Sequence, residues 1–196
     1  MTRICFVRHG ETDWNIELRM QGHVDIPLNA TGLAQAAALG RRFEDEVAAA
    51  ALYSSDLLRA RQTAQPIADA LGLAVVPLVE LRERSFGRCE GLVIAEILER
   101  FPEEGLAMKR RDADHVPQGG ESRRQHQERI RACVRELAER HPAQSLVVVT
   151  HGGVLDVVYR IATDLPIEAP RNYPIGNAGV NWVVVEGEQW AIESWG

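Results

Sequence analysis

Ile4-Cys5-Phe6-Val7-Arg8-His9-Gly10-Glu11-Thr12 is the stretch whose reading decides the fold. Its four leading apolar residues predict a short buried strand, too short for a helix on their own. They run straight into Arg-His-Gly, so His9 falls where a strand gives way to a loop. In parallel α/β sheets that carboxyl edge is where ligands gather. Gly10 leaves the backbone bare beside the imidazole. Arg8 sets a permanent guanidinium next to it, with a planar fork that matches phosphate geometry. Imidazole beside guanidinium suggests a nucleophile or acid–base group acting on a phosphoryl oxyanion. A lone histidine at a strand end is more often structural, so the weight rests on a second copy of the pattern. Leu146-Val147-Val148-Val149 is another apolar run, and it ends in Thr150-His151-Gly152-Gly153. If the two strands lie parallel and adjacent, His9 and His151 meet.

Between these segments the chain alternates strand and helix. Thr31 is the expected N-cap of a helix over 32–47, where Leu33, Ala36, Ala37 and Gly40 fall at helical spacing. Ala51 to Ser55 reads as a strand. Ala60, Thr63, Ala64, Ile67, Ala68 and Leu71 trace one face of a second helix, stopped by Gly72 and kinked or split by Pro66. Val75 to Val79, broken by Pro77, suits a sheet edge. Residues 84–120 predict a lid or specificity segment, with a helix near 92–101, a basic cluster Lys109-Arg110-Arg111 and a turn at Pro117 to Gly120. Residues 122–141 form the clearest helix and Val154 to Ala162 another. Val180 to Val185 and Trp190 to Trp195 are two strands joined by a hairpin at 186–188. Such alternation calls for a mostly parallel sheet covered on both faces.

The chain has 196 residues, enough for one domain with a substantial core. A net charge of −6 argues against a nucleic-acid partner, which usually meets a basic face, but not against a small anionic substrate. Cys5, Cys89 and Cys133 are odd in number and lack Cys-x-x-Cys spacing, which fits reduced thiols in a cytoplasmic protein. Met1-Thr2-Arg3 leads directly into a strand, leaving no room for a signal peptide, and no run is long enough to span a membrane.

The two strand-His-Gly segments are joined by Asn15, Ser54-Ser55-Asp56, Arg59-Ala60, Gln62-Thr63-Ala64, Glu83, Phe86-Gly87 and Gly120-Glu121-Ser122. Together these resemble the histidine phosphatase, or phosphoglycerate mutase-like, superfamily over nearly the whole chain. The resemblance implies a three-layer α/β/α fold spanning 1–196 as one domain. It implies a phosphomonoesterase for a small phosphorylated metabolite, with no cofactor. By the same resemblance His9 attacks phosphorus and becomes phosphohistidine. Arg8, Arg59 and His151 hold the phosphoryl oxygens, with Asn15, Gln21, Gly22 and Gly152 completing the phosphate site. Glu83 protonates the leaving oxygen and then deprotonates water. The physics agrees: phosphoryl transfer chiefly needs positioning and stabilisation of equatorial charge, and a covalent histidine divides one hard step into two. Each residue also has a plainer reading. Arg59 could be a surface arginine, Asn15 a turn cap, and Glu83 a partner in the ion pairs of Arg82-Glu83-Arg84, with Glu11 its nearest rival. His23, His115, His126 and His141 lack supporting context and read as surface residues. Phe86 and Trp14 suggest apolar contact with the leaving group.

The nearest competing activity is a phosphoglycerate mutase. Mutases of this kind follow the acid with Arg-His-Tyr-Gly, whereas this chain has Arg84-Ser85-Phe86-Gly87. Gln21 replaces their usual threonine, Gly153 their asparagine, and Val93-Ile94 stand where Asn-Lys would fall. Phosphatase is favoured, although Arg84 and the 109–111 cluster keep the mutase reading open. Asp112-Ala113-Asp114-His115-Val116 matches a magnesium-phosphatase pattern, but it follows Lys-Arg-Arg rather than an apolar strand. No cysteine-phosphatase loop or metal-ligand spacing appears, so no metal is expected. A catalytically inactive phospho-ligand-binding module should have lost one of the five key residues, and all are present. A terminal strand could pair across a homodimer, though nothing requires it.

Overall fold

A computed structural model of the chain describes residues 1–46 and 48–196. The strand elements are β1 (Thr2–Arg8), β2 (Ala51–Ser55), β3 (Val75–Leu78), β4 (Ser145–Thr150), β5 (Val180–Glu186) and β6 (Gln189–Ser194). The helices are α1 (Asp13–Ile16), α2 (Ala30–Glu46), α3 (Leu58–Leu71), α4 (Ile94–Arg100), α5 (Pro102–Arg110), α6 (Arg123–Arg140) and α7 (Gly152–Ala162). The strands form one sheet in the order β3-β2-β4-β1-β5-β6. β1, β2, β3 and β4 are mutually parallel, and β5 returns antiparallel beside β1 and β6 beside β5.

Side chains alternate across the sheet with a period of two, and both faces are buried. Ile4, Phe6, Leu146 and Val148 enter the core beneath α6 and α7, with Ile130, Val134, Leu155 and Val158. Cys5, Val7, Val147 and Val149 enter the opposite core beneath α2 and α3, with Phe43, Ala64 and Ile67. The expected three-layer α/β/α arrangement with a mostly parallel sheet is what forms. The apolar runs in β1 and β4 are continuous because neither face of those strands meets water.

Several expectations are adjusted. Asn29, not Thr31, caps α2: its Oδ1 accepts from Gly32 N at 2.8 Å while its carbonyl accepts from Leu33 N. The last residue of the expected 32–47 helix lies outside the described residues. α3 runs unbroken through Pro66, so the split reading falls. Gly72 ends it in the left-handed region at φ 63°. β3 lies at the sheet edge, where Pro77 costs no internal ladder bond. The helix expected near 92–101 is α4. A second helix, α5, follows at once with Pro102 in its first turn, a position that proline favours. Asp112 caps its own turn, accepting from Asp114 N and His115 N at 3.0 and 3.1 Å, which accounts for the acidic motif without a metal.

Candidate active site

The register of β1 against β4 brings the two histidines together. Arg8 pairs with Thr150, and His9 N donates to the Thr150 carbonyl at 2.9 Å. The next residue on each strand is therefore a histidine at the carboxyl edge, and the two rings sit 5.2 Å apart. His9 is 3 % exposed, and its Nδ1 lies 2.7 Å from the Gly10 carbonyl. A carbonyl only accepts, so Nδ1 carries the proton and Nε2 keeps its lone pair. Burial, followed by the fields of Arg59 and Arg8, holds the His9 pKa well below its ordinary value. The ring is thus a neutral imidazole with one nitrogen assigned as the free nucleophile.

Arg59 is fully buried on the first turn of α3. Its two terminal nitrogens donate to the carbonyls of Gly22 and Val24 at 2.8 and 2.9 Å. Arg8 donates through Nη1 to the Ile175 carbonyl at 2.7 Å. In both arginines Nε is buried without a hydrogen-bond partner, as are His151 Nδ1 and Gln21 Oε1. Burial lowers the pKa of Arg59 to about 10, so it remains cationic at neutral pH. Buried polar atoms are normally paired, and four orphans gathered around His9 mark an anion site. Turning the Gln21 amide over would add an N–H₂ to it. His151 Nε2 is fixed by the Ser55 hydroxyl at 2.8 Å, and burial, then Arg59, depresses its pKa.

Glu83 stands across the site. Its Oε1 accepts from Arg84 N and its Oε2 from Gly153 N, both at 2.8 Å. A Cβ added at Gly153 would lie 2.0 Å from Oε1, so the bare backbone there is what admits the carboxylate. Glu11, the rival acid, is instead used to accept from Asn29 Nδ2.

These groups face an open cavity of about 570 Å³ lined by Arg8, His9, Asn15, Arg59, Glu83 and Gly152, among others. Gln21, Trp14 and Phe86 also reach its wall. His151 and Gly22 lie behind it: His151 is fully buried, and Gly22 acts through its carbonyl on Arg59. Asn15 both caps and lines. Its Oδ1 accepts from Thr12 N at 3.0 Å, and its side chain reaches the cavity.

Four readings of surface histidines are corrected. His126 is 3 % exposed with Nε2 unpartnered, and the pKa is lowered by burial and by Arg129. His23 is half-buried, its Nε2 within 2.8 Å of the Glu83 carbonyl. His141 faces the Tyr53 hydroxyl at 2.8 Å, and His115 has its Nε2 buried. The sequence also hid several supports. Asn177 Nδ2 donates to the His9 carbonyl at 3.1 Å and to Asn15 Oδ1 at 3.2 Å. Thr63 Oγ1 accepts from Gly10 N at 2.9 Å. Glu90 Oε1 accepts from His23 N and Phe86 N, both at 3.0 Å, tying the 21–24 loop to the start of the lid. The Gly-Asn-Ala-Gly run at 176–179 was a turn signal that could have drawn attention to Asn177.

Comparison with known proteins gives a consistent picture. A family model described as the histidine phosphatase superfamily (branch 1) matches residues 4–196. A phosphoglycerate mutase-like protein 4 of Arabidopsis thaliana is 39% identical over 197 residues, covering 98% of this chain and 84% of that protein. A metal-independent phosphoserine phosphatase of the same plant is also 39% identical, covering 100% of this chain and 81% of that protein. Among solved structures, a mycobacterial glucosyl-3-phosphoglycerate phosphatase is 33% identical with a TM-score of 0.85, covering 98% of this chain and 97% of that one.

Proposed function

The chain belongs to the histidine phosphatase superfamily, and we propose that it hydrolyses a small phosphorylated metabolite through a phosphohistidine formed on His9. The observation that carries this reading is the pair of unpartnered guanidinium Nε–H donors of Arg8 and Arg59 around a tautomer-fixed imidazole. The substrate phosphoryl group takes the Nε protons of Arg8 and Arg59 and a hydrogen bond from His151, with Asn15 and Gln21 beside it. His9 Nε2 attacks in line, and the equatorial oxygens collect charge against the two guanidinium groups. Glu83 gives its proton to the departing alkoxide and then takes one from the water that attacks phosphohistidine. Hydrogen bonds from Gly153 N and Arg84 N hold the carboxyl in place for both steps.

A phosphatase named metal-independent among the relatives supports activity without a metal. Among the described residues, no three His, Cys, Asp or Glu side chains are grouped to hold a metal ion. No described helix is long and apolar enough to cross a membrane, and Cys5, Cys89 and Cys133 are buried free thiols, which supports a cytoplasmic setting. The net charge of −6 supports a small substrate over a nucleic acid. Residues 1–196 act as a single domain whose 84–120 segment shapes specificity. A homodimer through an edge strand is open to sedimentation analysis.

The test is phosphate release with EDTA present, by wild type and His9→Ala, together with trapping of an acid-labile phosphoenzyme. Release and trapping by wild type alone bear the reading out. Full activity in His9→Ala ends it. The mutase reading is favoured by the mutase-like name of one relative and by the cations beyond Glu83. Interconversion of 2- and 3-phosphoglycerate with little phosphate release would select it.

A further inference from the structure

The two arginines of the phosphate site are held unequally. Arg59 donates to two carbonyls, at 2.8 and 2.9 Å. The Arg8 guanidinium makes a single hydrogen bond among the described residues, from Nη1 to the Ile175 carbonyl at 2.7 Å. The direction of its unpartnered Nε–H therefore depends on where Ile175 is held. Ile175 lies in the irregular segment between α7 and β5. Among the described residues, no backbone N–H from 171 to 177 donates to a backbone carbonyl, so the main chain supplies no donors of its own to fix that segment.

Side chains do this instead. The Tyr173 hydroxyl donates to Asp156 Oδ1 at 2.8 Å, and Asp156 is itself locked on α7 by Arg160 at 2.9 Å. Trp195 Nε1 donates to the Pro174 carbonyl at 2.8 Å. The two bonds fall on Tyr173 and Pro174, immediately before Ile175. Trp195 is an anchored donor. Ser194 before it pairs with Trp182 in the β5–β6 ladder, and Gly196 N after it donates to Asn181 Oδ1 at 3.1 Å. Its ring meets Tyr159 and Tyr173 edge-on at 4.9 and 6.2 Å, and those two tyrosines stack on each other at 3.5 Å. Stacked and edge-on aromatic pairs are favourable beyond the area they bury, so the trio resists displacement. Ile175 and Trp195 also pack against the core beneath α6 and α7.

Resting on the phosphohydrolase reading above, we propose that Trp195 and Tyr173 are positioning residues for Arg8. Their polar atoms fix the peptide between Pro174 and Ile175, that peptide fixes the guanidinium, and the guanidinium presents its Nε–H to a phosphoryl oxygen. Neither aromatic side chain lines the cavity in front of His9. They act on how the oxyanion is gripped and not on proton transfer by Glu83.

The test uses Trp195→Phe and Tyr173→Phe, each of which keeps a ring and removes one donor. Vanadate inhibition of p-nitrophenyl phosphate hydrolysis reads the grip on a phosphoryl group near its transition state. Nitrogen-15 spectra of the arginine Nε–H groups read the guanidinium directly, with Arg8 and Arg59 assigned by their loss in Arg8→Lys and Arg59→Lys. Each variant should weaken vanadate binding by about three- to tenfold, the worth of one neutral hydrogen bond. The Arg8 resonance should shift while that of Arg59 stays in place. Because Glu83 is undisturbed, kcat/KM should fall by the same factor on p-nitrophenyl phosphate and on an alkyl phosphate. Vanadate binding within twofold of wild type in either variant overturns the proposal while leaving a working phosphatase. An unmoved Arg8 resonance also overturns it, as does a lowered melting temperature with both arginine resonances displaced, which would make the rings merely structural. If wild type neither hydrolyses p-nitrophenyl phosphate nor binds vanadate, the phosphatase reading fails and the proposal with it.

Discussion

Gly153→Ala should separate catalysis from stability. The new Cβ would stand 2.0 Å from Glu83 Oε1, 2.9 Å from Cδ and 3.1 Å from Oε2. No small adjustment clears all three atoms, so the carboxyl swings away and gives up its 2.8 Å bond to Gly153 N. A positioned general acid is worth about 10²–10⁴ in rate, or about 2.7–5.5 kcal/mol of transition-state stabilisation. That loss should fall on alkyl phosphates, whose alkoxides leave poorly without a proton. p-Nitrophenyl phosphate releases a weakly basic phenolate and should lose much less. Position 153 lies in the first turn of α7, where alanine for glycine favours the helix by about 0.5–1 kcal/mol. The melting temperature should therefore hold or rise while alkyl phosphatase activity falls at least about a hundredfold. Steady-state kinetics on both substrate types, beside a thermal melt, decides the matter. Equal losses on the two substrates, or none on the alkyl phosphate, would refute the role assigned to Glu83.

Other outcomes follow from the buried charges. His9, His126 and His151 all have pKa values held well below 6.5 by burial. The unfolded chain then binds more protons than the folded one from about pH 6.5 downward, so stability present above that pH is lost as pH falls. Each histidine contributes up to about 1.4 kcal/mol per pH unit, and melts between pH 8 and 5.5 should drop below 6.5. A flat profile would contradict the burial argument. Arg59→Ala strips the Gly22 and Val24 carbonyls of their donors, at about 1–3 kcal/mol for each group left unsatisfied. Calorimetry should show a fall of several degrees, and inorganic phosphate should inhibit more weakly. Asn177→Ala frees the His9 carbonyl and Asn15 from their shared donor. It should lower kcat by roughly tenfold with little change in melting temperature, which paired kinetics and melts would check.

The parts of the site that could be read in advance are those set by local periodicity. The apolar runs before His9 and His151 announce strands, and parallel pairing then fixes where both rings go. What could not be read depends on contacts distant in sequence. Ser55 meets His151 across the sheet, and Ile175 presents only a backbone carbonyl, which leaves no side-chain signature. His126 belongs to a helix rich in arginine, and its burial follows from how α6 meets the lid. Asn29 and Thr31 are both acceptable caps by composition, and the Asn29 carboxamide wins because it reaches Gly32 N. α5 carries no separate signal in the sequence, since it starts at Pro102 only one residue after α4 ends.

β1 has both of its sheet neighbours in the last third of the chain: β4 begins at Ser145 and β5 at Val180. Its pairing therefore waits on segments far along the chain. Until both have docked, the nucleophile at its end has no phosphate site around it. Closing so large a loop is slow relative to local helix formation. Recovery of activity after dilution from denaturant should therefore lag behind recovery of helical circular dichroism. The enzyme's own turnover becomes the clock for its final folding step.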